Sequence, residues 1–265
     1  PTMWDRTMTH VLVTCDDGIE SQGVHELARA ASRVFDSVVL VAPEENVSGC
    51  GTSTGRTVHP IPCRRVDAPD HGAPTYLVGR TPAAAVLAGR FGAFGQRPDA
   101  VLSGVNEGPN TGLIALHSGT LGGALTAANA GLPAVAVSST GAGVDDLAVA
   151  AEVAVQLLSS GAVPSGIAVN LNVPGGATVA TPMVHADFAI HEVLQPDARI
   201  ETVDGRDHVV FSYSPDIGPE AGSDSALLAE GLTTMTPLAG LRVVGADDSV
   251  TGALIASADC AERTS

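Results

Sequence analysis

The sequence predicts an α/β protein built on a mostly parallel β-sheet. Three observations lead there. Short β-branched runs alternate with longer segments of helical periodicity through the first two-thirds of the chain. Those runs are apolar on both faces, as strands are when helices cover a sheet on both sides. Beyond Pro174 the pattern turns β-rich and ceases to alternate.

Taken in order, His10–Thr14 (HVLVT) reads as the first strand, and Gln22–Val34 as a helix with Val24, Leu27, Ala28, Ala31 and Val34 along one stripe. Ser37–Ala42 is a second strand, stopped by Pro43. Glu44–Tyr76 is rich in Gly, Ser, Thr and Pro and reads as a long site loop with a small antiparallel excursion. Asp99–Ser103 is a strand that Gly104 ends, and Ser118–Ala130 a helix that Gly131 stops. Ala134–Ser138 is a strand, Asp145–Leu158 a helix and Gly166–Leu171 a strand. Arg199–Val203 and His208–Tyr213 flank Asp204-Gly205, a strong hairpin signal, and Ser223–Glu230 reads as a short helix. The divisions that follow are a tail over 1–9, a core over 10–175 and a β-rich extension over 176–265.

Composition narrows the function. The 265 residues suffice for a sizeable core, and aromatics at 3% leave Val, Leu, Ile and Ala to fill it. The formal net charge of −16 opposes nucleic-acid polymers and anionic membrane surfaces. All 13 basic residues are arginine, so a cationic grip on phosphate must come from Arg, backbone N–H groups or a metal. Cys15, Cys50, Cys63 and Cys260 form neither a CxxC pair nor a zinc spacing, which fits a reducing cytoplasm. No basic segment followed by an apolar run opens the chain, and no apolar stretch is long enough to span a membrane.

Ligands collect at the carboxyl ends of the strands of an open parallel sheet. Three polar segments fall at such ends. Asp16-Asp17-Gly18 follows the first strand, and reads either as a turn before a capped helix or as paired carboxylates around a hard cation. Pro43–Gly51 follows the second. Ser103–Gly112 (SGVNEGPNTG) is a loop whose glycines admit positive φ and bring backbone N–H groups close to an anion. Its Asn106 and Asn110 offer oxygens to a metal or donors to a phosphate. His117-Ser118-Gly119-Thr120 then opens a helix, where the hydroxyls serve as caps, as an anion site, or as both. His117 fits a structural role or acid–base work.

Together these segments resemble the SurE family of survival-protein nucleotidases, which are metal-dependent phosphatases. The resemblance rests on Val11–Ser21 (VLVTCDDGIES), Val41-Ala42-Pro43 with Val47-Ser48-Gly49, Ser103–Gly112, and Ser118-Gly119-Thr120. It continues through Asn172-Val173-Pro174, Gly222-Ser223-Asp224 and Thr236-Pro237-Leu238. It implies a Rossmann-like three-layer core with a β-rich C-terminal extension that exchanges between subunits of a homodimer or homotetramer. It also implies one divalent ion, Mg²⁺ or Mn²⁺ with Ca²⁺ as a crystal substitute, held by Asp16, Asp17, Ser48 and Asn106. Asp16 and Asp17 are the expected catalytic groups. Gly49, Gly108, Asn110, Ser118, Gly119 and Thr120 are the expected phosphate contacts, and a small phosphate ester is the expected substrate.

The chain departs from the family pattern in four places. Cys15 replaces an asparagine before the aspartates and is expected to be buried rather than a ligand. Arg80 and Ala84 replace a glycine and an aspartate, Thr52 replaces a common histidine, and an arginine- and aromatic-rich run after Pro174 is missing. Arg80 is therefore a candidate for specificity. The expected reaction is hydrolysis of a nucleotide or related phosphate monoester. The alternatives are a specialised-metabolite phosphate as substrate, or a catalytically silent binding or assembly protein.

Overall fold

The computed structural model describes residues 10–67, 71–190, 194–215 and 218–241; the tail over 1–9 and Cys260 lie outside them. Its centre is β1 (His10–Thr14), fully buried. Alternate β1 side chains enter different layers: Val11 and Val13 join the cluster on one face, and Leu12 joins the cluster on the other. Leu12 is fully buried, and truncating it to alanine would cost about 2–5 kcal/mol.

Around β1 the sheet takes in β2 (Ser37–Pro43), β3 (Cys63–Val66), β4 (Thr75–Val78), β5 (Ala100–Glu107), β6 (Ala134–Ser139) and β7 (Ile167–Val173). The strand β8 (Met183–His185) and β11 (Thr233–Ala239) complete it, giving nine strands in the order β3-β4-β2-β1-β5-β6-β7-β11-β8. The run from β4 through β7 is parallel throughout. Strand β3 returns antiparallel on β4, as the excursion predicted within Glu44–Tyr76. The chain leaves β1 towards β2 and β4, then returns to β5 on the other side. The β1–β5 boundary is therefore the switch point where ligands bind in such sheets.

Helices α1 (Gln22–Ser32) and α4 (Val144–Ser159) cover one face; α2 (Pro82–Arg90) and α3 (Gly119–Asn129) cover the other. The predicted stripe of α1 holds for Val24, Leu27, Ala28 and Ala31, all buried. The helix stops at Ser32, short of Val34, because the chain tightens there: the N–H groups of Val34 and Phe35 both donate to the Ala31 carbonyl. Phe35 then takes the buried place, and Val34 is 53% exposed.

The predicted end of β5 at Gly104 is corrected. The strand runs on to Glu107, with its register against β6 shifting between Ser103 and Asn106. At φ +131, Gly104 makes a bulge instead of a stop, and a Cβ there would sit 2.2 Å from the Val137 carbonyl oxygen. Asn106 is consequently held on a strand rather than in a free loop.

From the segment 176–265, β8 and β11 enter the main sheet, β11 pairing antiparallel with β7. The hairpin β9 (Leu194–Val203) and β10 (Arg206–Pro215) forms a separate two-stranded sheet, turning at Asp204 and Gly205 with positive φ at both, as predicted. Helix α5 (Asp224–Ala229) is capped by Ser223, whose hydroxyl accepts from the Ala226 N–H. Among the described residues no helix is long and apolar enough to cross a membrane.

Candidate functional site

Asp16 and Asp17 leave the carboxyl end of β1 beside the bulged end of β5. Asp16 is 2% exposed, and the Thr120 hydroxyl donates to its Oδ1. The same hydroxyl reaches Asn106 Oδ1 at 3.5 Å. Thr120 thus sits between β1 and β5 and points both side chains at one place. Gly119 permits this approach: a Cβ there would lie 2.7 Å from Asp16 Oδ2 and 2.4 Å from Cys50 Sγ. The start of α3 therefore faces Asp16 with its partial positive charge.

Asp17 is held differently. Its Oδ1 accepts from Asn46 Nδ2 at 3.2 Å, while its Oδ2 is buried with no hydrogen-bond partner. Burial, and then the neighbouring Asp16, push its carboxyl up to about 6, while the nearby Glu107 N–H dipole and the Asn46 amide pull it down. Asn46 also accepts from the Ser48 N–H at 2.8 Å, a local turn that shapes the loop after β2. That loop is tied to β1 by the Val47 N–H, which donates to the Asp16 carbonyl at 2.7 Å. Ser48 is exposed at its tip.

The oxygens gathered here are two carboxylates, the Asn106 amide and the Ser48 hydroxyl on the neighbouring loop. Among the described residues no group of three or more His, Cys, Asp or Glu side chains forms a metal cluster. The set suits a hard cation that keeps waters and substrate oxygens in its shell, not zinc or copper. The orphaned Asp17 Oδ2 and the crowding of two carboxylates both fit added positive charge. Thiols do not contribute: burial pushes Cys15 far above its ordinary value, and burial with Asp16 pushes Cys50 up to about 11. Cys15 is fully buried and donates to the Gly18 carbonyl, as a small interior side chain.

The expected phosphate contacts divide. The N–H groups of Gly119 and Thr120, first in α3, have no intrahelical acceptor, and the Gly49 N–H also makes no internal hydrogen bond; Gly49 has φ +84 and open space around it. Of these, Gly49 is exposed, while Gly119 and Thr120 are buried at the start of α3. The Ser118 hydroxyl caps α3 by accepting from the Leu121 N–H. Two other expected contacts are engaged inside the fold. The Gly108 N–H donates to the Ser139 carbonyl at 2.8 Å. Asn110 donates from Nδ2 to Ser138 Oγ and from its N–H to Asn172 Oδ1, and its carbonyl accepts from Asn170 and Asn172. The loop needs these anchors because its backbone leaves the sheet ladder there. His117 is exposed beside Ser118. Arg80 lies on the same side of the sheet, after β4, against Gly55 of the loop that begins at Pro43.

Sequence reasoning missed Asn46, which orients Asp17 from the loop after β2. The Asn-x-Ser turn at Asn46 was a usable local signal. The contact of Asn46 with Asp17 exists only after β1 and β2 pair.

The chain matches the family model described as Survival protein SurE over residues 11–195. It is 34% identical over 213 residues to a protein named 5'-nucleotidase SurE from Methanocella arvoryzae, covering 71% of this chain and 78% of that one. A protein of the same name from Alkalilimnicola ehrlichii is 34% identical over 250 residues, covering 87% and 89%. The crystal structure of the Sure protein from Aquifex aeolicus superposes with a TM-score of 0.71 at 26% identity, covering 91% of this chain and 97% of that one. The chain belongs to the SurE family.

Proposed function

From membership in that family, we propose that the chain is a phosphoric monoester hydrolase that removes phosphate from nucleotides in a divalent-metal-dependent reaction. The observation that carries the metal is the convergence of Asp16, Asp17 and Asn106 at the β1–β5 switch point, with a buried carboxylate oxygen of Asp17 left without a partner. Curated relatives named 5'-nucleotidase support the reaction class.

Asp16, Asp17, Asn106 and Ser48 would hold Mg²⁺ or Mn²⁺. When bound, the ion supplies charge neutralisation on the phosphoryl oxygens and acidifies a water. The protein does the rest. Thr120 locks Asp16 through its Oδ1, so Asp16 is a fixed holder. Asp17 Oδ1 stays with Asn46, and its Oδ2, without a partner in the protein, is the oxygen that would meet the ion. The N–H groups of Gly49, Gly119 and Thr120 receive the phosphoryl oxygens at the positive end of α3. Ser118 sets that end by capping it.

A homodimer or homotetramer is the proposed assembly. Ile200, Val209 and Phe211 on the β9–β10 hairpin are 71%, 62% and 62% exposed, which favours burial against another copy. A cytoplasmic setting is consistent with free thiols at Cys15, Cys50 and Cys63.

The test is phosphate release from adenosine 5'-monophosphate with Mn²⁺ or Mg²⁺, before and after chelation. Activity that disappears with EDTA and returns with metal is expected. Equal rates with and without chelator would contradict the metal, and no release under any condition would leave the binding or assembly reading.

A further inference from the structure

Arg80 stands apart from the paired arginines of this chain. Arg29, Arg33, Arg64 and Arg199 each meet a glutamate within 3.2 Å. Arg80 meets none. A terminal nitrogen donates to the carbonyl of Gly79, its neighbour in sequence, at 3.0 Å. Its Nε is buried and has no hydrogen-bond partner. A half-buried guanidinium whose Nε has no acceptor, and whose hydrogen bond goes only to the carbonyl of its sequence neighbour, is an unfavourable arrangement unless a ligand completes it, in a chain where acidic residues outnumber basic ones 29 to 13.

Its position ties it to the phosphate site. Thr81, next in the chain, donates its hydroxyl to the Ser53 carbonyl. The Ser53 N–H turns back to the Cys50 carbonyl at 3.1 Å. Cys50 Sγ and Asp16 Oδ2 border the same spot beside Gly119. From Cys50 to Gly55, which lies across the Arg80 side chain, the chain spans at most ~17 Å, and the turn shortens that. One loop therefore runs from the proposed phosphoryl site to the guanidinium, and exposed Arg56 follows it. The immediate surroundings of the aspartates are otherwise acidic. Glu45 lies beside Gly18, Glu107 faces Asp17, and both are exposed. A substrate with two anionic ends has one favourable way to lie, with its second end on the Arg80 side.

We propose that Arg80 forms a second anion subsite, and that the preferred substrate is a phosphate monoester carrying a second phosphate group, a nucleoside bisphosphate rather than a monophosphate. This rests on the phosphatase reading for the first phosphate. A second phosphate fits better than a carboxylate because its higher charge and three acceptor oxygens compete better with water for a guanidinium that is only half-buried. Arg80 binds and selects; it takes no part in bond breaking.

The experiment compares adenosine 3',5'-bisphosphate with adenosine 5'-monophosphate on the metal-loaded full chain. Both kcat/KM and calorimetric affinity are measured, for the natural chain, Arg80→Gln and Arg90→Gln. Arg90 carries the same charge at the far end of α2. The expected result is about a tenfold preference for the bisphosphate, carried in KM, which falls to about one in Arg80→Gln, persists in Arg90→Gln and shrinks at high salt. Hydrolysis without a bisphosphate preference, or a preference that survives Arg80→Gln, overturns the subsite and leaves the phosphatase intact. Arg80-dependent tight binding without hydrolysis of either compound supports the subsite and overturns the phosphatase.

Discussion

The two aspartates are neighbours in sequence and opposites in environment. Asp16 is almost fully buried, and the Thr120 hydroxyl ties it to α3 and to Asn106. Asp17 is half-buried, has one carboxylate oxygen without a partner, and its carboxyl is pushed up to about 6 by burial and by Asp16. One side of the site is finished by the protein, and the other is left to be completed. Rigid support on one side fixes geometry, and unmet charge on the other gives a cation its affinity.

Replacing Thr120 with valine is the larger test of that contrast. The shape is kept and the hydroxyl lost, so Asp16 Oδ1 loses its donor. Metal affinity should fall about 10–100-fold, and the metal-free fold should lose about 1–3 kcal/mol, read by calorimetry and by urea titration. A variant that binds metal as well as the natural chain would show that Asp16 needs no such support.

The smaller test is a pH dependence on the open side. The Asp17 carboxyl is raised in the fold from its ordinary 3.8 to about 6. The folded, metal-free state therefore holds that proton more tightly than the unfolded chain does. The group imposes no penalty below its unfolded value; the penalty grows as pH rises between the two values and is complete above about 6. A bound cation favours the charged form and removes the penalty. The rise in Tm on adding Mn²⁺ should accordingly be greater at pH 7.5 than at pH 5. An equal rise at both would mean that Asp17 does not hold the ion.

Much of this was legible in the sequence, for identifiable reasons. Strands such as Val11–Thr14 and Ala134–Ser138 are short, β-branched and apolar on both faces, so their type and burial follow from pattern alone. The Asp204-Gly205 turn requires positive φ at both positions and announces itself. Three features did not show. Pro237 obscured β11, which pairs antiparallel with β7 despite the missing donor. Gly104 read as a stop but makes a bulge, since only the facing Val137 carbonyl reveals why a glycine is needed. In the site, Asp16, Asp17 and Asn106 were visible as residue types at strand ends. The engagement of Asn110 and of the Gly108 N–H was not, because their partners Asn170, Asn172 and Ser139 come from β6 and β7, thirty or more residues away.

The central claim is that Asp17 helps to hold one divalent ion. Calorimetric titration of Mn²⁺ into the natural chain and Asp17→Asn tests it most directly, with urea unfolding of both metal-free proteins as the control for folding. The natural chain should bind one ion per site, and Asp17→Asn should lose that binding. The metal-free variant should remain as stable or become more stable at pH 7.5, because a desolvated charge has been removed. Undiminished Mn²⁺ binding by Asp17→Asn would contradict the account.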